Sequence, residues 1–148
     1  MAYDVGSYFN SYADTGNFVV NAGIDPLQID DVVRAIIQEL TRIAEEAVSD
    51  DELDRIKAYV RGSVILGLEG TAQVASWLGS QEYSRGTVLA VEEIVARIDA
   101  VNADAVQHVA RQCFKPEWRR LAVIGPYKPE RAGHFGRLLK GGTQYANS

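Results

Sequence analysis

Residues 3–24, YDVGSYFNSYADTGNFVVNAGI, decide the fold that we predict for this chain of 148 residues. Residues 3–12 alternate between two faces and are rich in aromatic side chains, which is typical of a β-strand. A second strand is predicted at residues 17–24, where every second residue from 18 to 24 is apolar and continues the alternation. Asp14-Thr15-Gly16 lies between them and has turn chemistry, because Gly16 can take a positive φ. The stretch therefore predicts a β-hairpin.

The composition narrows the class of protein. A hydrophobic fraction of 47% and a charged fraction of 24% are typical of one globular domain that can bury a core. Twenty acidic residues against 15 basic ones argue against nucleic acid as a partner, since nucleic-acid binding needs a basic surface. The single cysteine excludes an internal disulfide and a Cys-rich zinc site. No apolar run approaches the ~20 residues that span a bilayer, so no membrane partner is expected.

The first helix is the best-defined element after the hairpin. Apolar residues between 27 and 47 recur at i, i+3 and i+4 spacing, with charged residues on the opposite face. Asp25 is placed to cap this helix, Pro26 to occupy its first position, and Gln28 to complete a capping box. We therefore predict an amphipathic helix that lies on the sheet.

Further helices are predicted from caps and apolar spacing. A capping box, Ser49-Asp50-Asp51-Glu52, begins a second helix that runs through Leu68. Thr71 is expected to cap a third helix that ends near Gly86, and a fourth covers about residues 91–100. Asn102 is expected to cap a fifth helix, which Pro116 stops.

The end of the chain supplies the last elements. The apolar run at residues 120–124 predicts a third strand, which ends at Gly125-Pro126. Residues 127–148 are predicted to form a loosely held tail with one short helix near residues 135–139. The order strand, strand, helices, strand predicts an α+β fold in which several helices cover one face of an antiparallel sheet. The domain is expected to span residues 1–126.

Asp14-Thr15-Gly16 is also the triplet of aspartic proteases, which bring two such aspartates together over a shared proton. The chain has one copy, so this chemistry would require a homodimer. Those dimeric enzymes are nearly all β, whereas most of this chain is predicted to be helical. We therefore interpret the triplet as a turn and keep the homodimeric aspartic protease as a remote alternative.

The other candidate residues have simpler interpretations. His108 and His134 lie in different elements without a second metal ligand at helical spacing. Cys113 falls on an apolar helix face and is predicted to be a core thiol. The acidic cluster at residues 50–54 lacks the spacing of a calcium loop, and capping explains it. The residues themselves thus predict no self-sufficient active site.

Taken together, several motifs resemble the pitrilysin/insulinase family of zinc metallopeptidases, and most of all its bacterial members similar to mitochondrial processing peptidase. They lie in the order that the family has, and the resemblance covers about residues 2–126. The motifs are AYDVGSYF at 2–9, YADTGNF at 12–18, AGIDP at 22–26, IQEL at 37–40, DELDRIK at 51–57 and LAVIGP at 121–126.

The resemblance implies a division of labour. Family members consist of two homologous α+β halves, of which the N-terminal half binds zinc through an inverted His-x-x-Glu-His motif. This chain lacks that motif and so resembles the C-terminal, non-metal half. In active relatives that half supplies an Arg and, seven residues later, a Tyr that hold the substrate. The Tyr corresponds to Tyr3, and the Arg would precede Met1 by four residues, which suggests an N-terminally truncated half.

The function implied is that of a non-catalytic portion of a zinc metallopeptidase. It would supply chamber wall and substrate contacts, with Tyr3 as the only catalytic contact, to a separate half that carries the zinc. The expected partners are that half, a peptide substrate and, through an exposed sheet edge, a second copy of the chain. No cofactor is expected in this chain, which is predicted to be inactive alone. The alternative is a catalytically dead assembly subunit of the same family, and the compartment is left open.

Overall fold

A computed structural model describes residues 2–140 of the chain. The described part contains two strands, β1 (Ala2–Ser11) and β2 (Gly16–Ile24), followed by helices. The helices are α1 (Ile29–Glu45), α2 (Asp50–Leu66), α3 (Thr71–Arg85), α4 (Val91–Asp99), α5 (Ala103–Cys113) and α6 (Ala132–Leu139). Single turns of 3-10 helix lie at Pro26–Gln28, Pro116–Trp118 and Pro129–Arg131. The predicted α+β class is confirmed, with a small antiparallel sheet.

The hairpin forms as the sequence predicts. Phe9 lies opposite Phe18, and Ser11 lies opposite Gly16 at the closed end. The turn is fixed by a hydrogen bond of 2.8 Å that the Tyr12 amide donates to the carbonyl oxygen of Thr15. At the open end the register shifts between Ala2 and Asp4, because Ala2 pairs with Ile24 whereas Asp4 pairs with Gly23.

Side-chain caps begin the helices at most of the predicted places. Ser49 Oγ accepts a hydrogen bond of 3.3 Å from the Glu52 amide at the start of α2. The Asp25 carboxylate accepts one of 2.9 Å from the Leu27 amide, but it caps the 3-10 turn Pro26–Gln28 and not α1, whose N-cap residue is Gln28. Asn102 Oδ1 accepts one of 2.8 Å from the Ala105 amide. The predicted cap at Thr71 is wrong, since Thr71 is already the first helical residue and Gly70 precedes it. Gln28 likewise makes no capping hydrogen bond.

The chain divides into two compact units. The sheet unit comprises residues 2–46 and 107–140 of the described chain, and the helical unit comprises residues 47–106. The core of the sheet unit is the cluster Ile29, Val33 and Leu138, which joins α1 to α6. Partly buried side chains surround it, from β2, α1, the segment before α6, and α6 itself: Ile24, Ile37, Leu121, Val123, Tyr127 and Phe135.

This core corrects the prediction of a loosely held tail. The short helix expected near residues 135–139 is present within α6, but Leu138 packs it against α1. The sequence suggested loose attachment because α6 contacts a helix that lies about a hundred residues earlier, which no local pattern reports. Residues 141–148 of the predicted tail lie outside the described residues.

The third strand predicted at residues 120–124 is wrong for the described chain. The described sheet contains β1 and β2 and no further strand. Residues 121–124 still alternate between partly buried and exposed side chains, as a strand would. What is missing is a ladder partner, because a strand is defined by the neighbour to which its backbone bonds.

Polar contacts join the helices of the helical unit. Lys57 Nζ in α2 donates to the carbonyl oxygen of Asp99 at 3.0 Å, and Arg61 forms an ion pair of 2.9 Å with the Asp99 carboxylate. Both contacts place a cation at the C-terminal end of α4, where free carbonyl groups concentrate negative partial charge. Gln81 is buried and accepts a hydrogen bond of 3.2 Å from the Leu89 amide. No hydrophobic residue of this unit is fully buried.

Within residues 2–140, none of the helices combines the length and the apolar character that crossing a membrane requires.

Truncation of Leu138 tests the position of α6. Leu138 is 7% exposed in the core, whereas Leu27 is 91% exposed. Leu138→Ala is expected to lower the free energy of unfolding by about 2–4 kcal/mol, because it removes buried methyl groups and leaves a cavity. Leu27→Ala, the matched control, should change it by less than about 0.5 kcal/mol. Urea denaturation followed by circular dichroism measures both, and equal effects would mean that α6 is not part of the core.

Candidate functional site

The hairpin has one face turned toward the helices of the sheet unit. Phe18 on β2 packs against Phe114 with ring centroids 5.0 Å apart, and Ile24 reaches the core cluster. Val5 and Phe9 lie on the same face, because they pair with Ala22 and Phe18. Both nevertheless remain exposed. The described chain thus partly covers the β2 half of this face, where Phe18 itself stays 41% exposed, and leaves the β1 half bare.

The opposite face of the hairpin is mostly polar. Asn10 Nδ2 donates a hydrogen bond of 2.9 Å to Asn17 Oδ1 across the strands. Tyr8 lies on this face opposite Val19, and its ring is exposed. This polar face is suited to contact with water, whereas the exposed apolar side chains on the other face are suited to contact with another protein surface.

Tyr3 lies at the irregularity in the hairpin. The register shift leaves it as the one residue of β1 between Ala2 and Asp4 that has no partner on β2. A bulge of this kind bends a strand and redirects a side chain, and bulges are common beside functional sites. Tyr3 is 81% exposed, and its hydroxyl makes no hydrogen bond to a described residue. The phenol is therefore free to donate a hydrogen bond to a carbonyl oxygen or an oxyanion from outside the hairpin.

The Asp14-Thr15-Gly16 triplet forms the hairpin turn. Asp14 is exposed, and the backbone of Thr15 closes the turn by accepting the Tyr12 hydrogen bond. The turn forms as predicted, but Gly16 does not take the positive φ that the sequence suggested. A glycine is needed there because a Cβ would lie 2.9 Å from the carbonyl oxygen of Asn10.

The remaining candidate residues lie in ordinary positions on helices. His108 is exposed and its Nε2 lies 3.1 Å from Gln112 Nε2 on the same helix. The acidic residues at 50–52 form the first turn of α2 after Ser49, as predicted. The prediction of a core thiol at Cys113 is wrong, since this side chain is exposed. Cys113 is the last residue of α5, and no described element covers the helix there.

Sequence reasoning missed a polar cluster formed by Asp30, Arg131 and His134. The Asp30 carboxylate lies 2.6 Å from His134 Nε2 and 3.1 Å from Arg131 Nη2. The Arg131 guanidinium also lies over the rings of Tyr127 and Phe135, at 5.4 Å and 5.3 Å. Asp30 is in α1 and His134 in α6, 104 residues later, so no local signal could join them. The cluster fastens α6 to α1 beside the apolar core.

Two arginines of the sheet unit donate hydrogen bonds to carbonyl groups at the C-terminal ends of helices. Arg111 Nε donates to the carbonyl oxygen of Ala44, near the end of α1, at 2.9 Å. Arg119 reaches the carbonyl oxygens of Phe114, after α5, and Leu139, at the end of α6, at 3.4 Å and 3.5 Å. These carbonyls have no partner inside their helices, and a guanidinium complements their partial negative charge. These hydrogen bonds help to hold α1, α5 and α6 together.

The described residues do not fit a zinc ion. No group of three or more His, Cys, Asp or Glu side chains between residues 2 and 140 is placed to hold a metal. The carboxylate and imidazole of Asp30 and His134 instead pair with each other and with Arg131. No step of a zinc reaction is therefore assigned to this part of the chain.

Comparison with known proteins identifies the family. The family described as the Peptidase M16 inactive domain matches residues 1–60, which contain the hairpin, α1 and most of α2. An uncharacterized zinc protease of Streptomyces coelicolor is 39% identical over 91% of this chain. One from Bacillus subtilis is 32% identical over 85%. The probable mitochondrial-processing peptidase subunit beta of Arabidopsis thaliana is also 32% identical over 85%.

A solved structure supports the fold. A chain of complex III2 from Candida albicans, bound to Inz-5, has a TM-score of 0.67 and 25% identity over 73% of this chain. The match covers 26% of that chain. This chain likewise spans 29%, 31% and 24% of the lengths of the Streptomyces, Bacillus and Arabidopsis proteins.

The chain belongs to the M16 peptidases and corresponds to the inactive, C-terminal part of that family. The resemblance predicted from the motifs is thus confirmed.

Replacement of Asp30 tests the polar cluster. Asp30→Asn is expected to lower the free energy of unfolding by about 1–2 kcal/mol, because it removes the charge that Arg131 and His134 share. Asp31→Asn is the matched control, since its side chain is 83% exposed and pairs only with Arg34. The control should change the free energy by no more than about 0.5 kcal/mol. If the two variants unfold at the same urea concentration, the cluster does not stabilise the contact between α6 and α1.

Proposed function

We propose that this chain is the non-catalytic wall of the reaction chamber of a zinc metallopeptidase and that it contacts the peptide substrate there. The observation that carries the proposal is the match of the hairpin and α1 to the inactive domain of the M16 family. The names of the relatives, zinc protease and mitochondrial-processing peptidase, supply the class of reaction. The whole parent protein would then consist of this portion and a portion that holds the zinc.

Zinc chemistry is assigned to the other portion of the parent protein. When bound there, zinc would polarise the scissile carbonyl and activate water. The described residues offer no group of three or more metal ligands, so we propose that the zinc is held by the other portion. A wall that closes over the substrate would exclude water from the reacting bond.

Tyr3 is the residue that we propose to contact the substrate. Its position at a bulge, its exposure and its unbonded hydroxyl support this role. A phenolic donor aimed at the carbonyl oxygen would stabilise the negative charge that develops on it during attack by water.

The chain alone is expected to be inactive. Purified chain incubated with zinc should hydrolyse no peptide above background and should retain less than one zinc ion per chain after desalting, as measured by elemental analysis. The parent protein under the same conditions is the control. Peptide turnover by the isolated chain that is comparable to that of the parent would contradict the proposal.

Removal of the Tyr3 hydroxyl is expected to slow the parent enzyme. Tyr3→Phe should lower kcat on the order of a hundredfold with little change in KM, because the hydrogen bond is made mainly to the transition state. Tyr8→Phe is the matched control, since Tyr8 is also exposed on β1 but faces the polar side. Equal activity of the two variants would remove Tyr3 from the mechanism.

A second candidate is a catalytically dead assembly subunit. The similarity to a chain of complex III2 favours it, because that protein is named as part of a complex. The two candidates differ in the parent protein. A parent with stoichiometric zinc and peptidase activity supports the first, and a parent with neither supports the second.

The bare half of the hairpin supports a partner in both cases. Val5 and Phe9 are exposed on the face that elsewhere packs against helices, and exposed apolar side chains of this kind favour association. We assign the surface to the zinc-bearing portion of the parent protein. A second copy of the chain, paired through the edge of β1, is the competing partner.

A further inference from the structure

A groove lies where α3 ends and α4 begins, within the helical unit. Gly86 ends α3 in the left-handed conformation, with φ 65°, and its amide donates a hydrogen bond of 2.9 Å to the carbonyl oxygen of Glu82. The groove between the following connection and α4 has a volume of about 510 Å³. This volume lies within the range of about 300–1,000 Å³ that is usual for small-ligand sites.

The floor of the groove is apolar. Ile94 and Ile98 lie one turn apart on α4, Val101 follows just after its end, and Leu89 comes from the connection that precedes it. The backbone at Leu89 is fixed, because its amide donates a hydrogen bond of 3.2 Å to Oε1 of the buried Gln81. The groove is thus largely formed before a ligand arrives.

Two arginines line the same groove. Arg85 is exposed at the end of α3, and its guanidinium bonds to no described residue. Arg97 on α4 forms an exposed ion pair of 2.8 Å with Glu93 on the same helix. An exposed pair of this kind contributes little stability, so a second carboxylate can share the Arg97 guanidinium or replace Glu93 there.

The charge of the groove is opposite to that of its surroundings. Residues 47–106 have more acidic than basic side chains. Among the basic ones, Lys57 and Arg61 bond to Asp99, and Arg55 lies outside the groove. No described carboxylate lines the groove itself. An apolar floor beside two guanidinium groups is therefore complementary to an apolar ligand that carries a negative charge.

We propose that this groove binds the C-terminal end of a peptide. Arg85 and Arg97 hold the terminal carboxylate, and Leu89, Ile94 and Ile98 contact the last side chain of the peptide, which is itself apolar. A C-terminal residue fits because it carries a carboxylate directly beside its side chain, and guanidinium groups bind carboxylates through strong charge-assisted hydrogen bonds. The inference rests on the function proposed above, since hydrolysis of a peptide bond leaves a free carboxylate on one product.

A pair of peptides tests the recognition of the carboxylate. The probes are an acetylated tripeptide that ends in leucine and the same tripeptide with a C-terminal amide, each titrated into the 15N-labelled chain. The free acid is expected to bind about tenfold more tightly than the amide, because the amide lacks the charge that the guanidinium groups bind. The NMR signals of residues 85–101 should shift. Equal binding of acid and amide, or shifts confined to other residues, would overturn the site.

Replacement of each arginine tests its part in the site. Arg85→Gln and Arg97→Gln should each weaken binding of the free acid about fivefold or more and leave the weak binding of the amide unchanged. Arg55→Gln is the matched control, since Arg55 is exposed, has no described partner and lies outside the groove. It should bind the acid within about twofold of the original chain, because salt screens a distant exposed charge. Equal losses in all three variants would show a general effect of charge and would overturn the site.

Decanoate separates a peptide from a fatty acid, which also joins a carboxylate to an apolar chain. Binding of decanoate without binding of the peptide would overturn the assignment to a peptide. None of these titrations uses zinc or turnover, so the two proposals fail separately. An active parent whose chain does not bind the free acid overturns the groove alone. A parent without zinc or activity overturns the proposed function and leaves a peptide-binding site wherever the arginine-dependent binding is found.

Discussion

The contact of Ile29 and Val33 in α1 with Leu138 in α6 is the constraint on which the rest of the sheet unit depends. It joins elements from opposite ends of the described chain, and β2 and residues 121–123 pack around it. Because this apolar cluster is small, polar contacts supplement it. Asp30 fastens α6 beside it, and arginines complement the carbonyl groups at the ends of α1, α5 and α6.

The buried apolar core of the chain is small compared with its exposed apolar surface. Four hydrophobic residues of the described chain are buried, whereas eighteen large apolar or aromatic side chains are exposed. Single exposed apolar residues are ordinary, but Val5 and Phe9 lie together on one half of a sheet face, and Ile124 lies on the outer side of residues 120–124. Exposed apolar surface of this extent favours association with further polypeptide. This chain spans 29%, 31% and 24% of the lengths of the Streptomyces, Bacillus and Arabidopsis relatives, so proteins of their length could supply it.

The features that could be predicted from the sequence depend on residues close together in the chain. The hairpin turn and the caps at Asp25, Ser49 and Asn102 act within three residues, so both were visible in the sequence. The reason for Gly16 was not, since it lies close to the backbone of Asn10 across the hairpin and has no positive φ. Pairing between Asp30 and His134 was invisible because it spans 104 residues. The third strand failed for a related reason, since period-two burial is a local property and a ladder partner is not. The assignment of Tyr3 came from the family resemblance, and the bulge that exposes it had no sequence signal.

The heat capacity change of unfolding, measured by calorimetry on the isolated chain, tests most directly whether its apolar surface is left uncovered. A globular chain of 148 residues with an ordinary core would show about 1.8–2.2 kcal/mol/K, because this quantity scales with the apolar area that unfolding exposes. The account predicts a value clearly below that range, since much of that area is already in water. A value within the range would contradict it and would mean that the chain completes its own core.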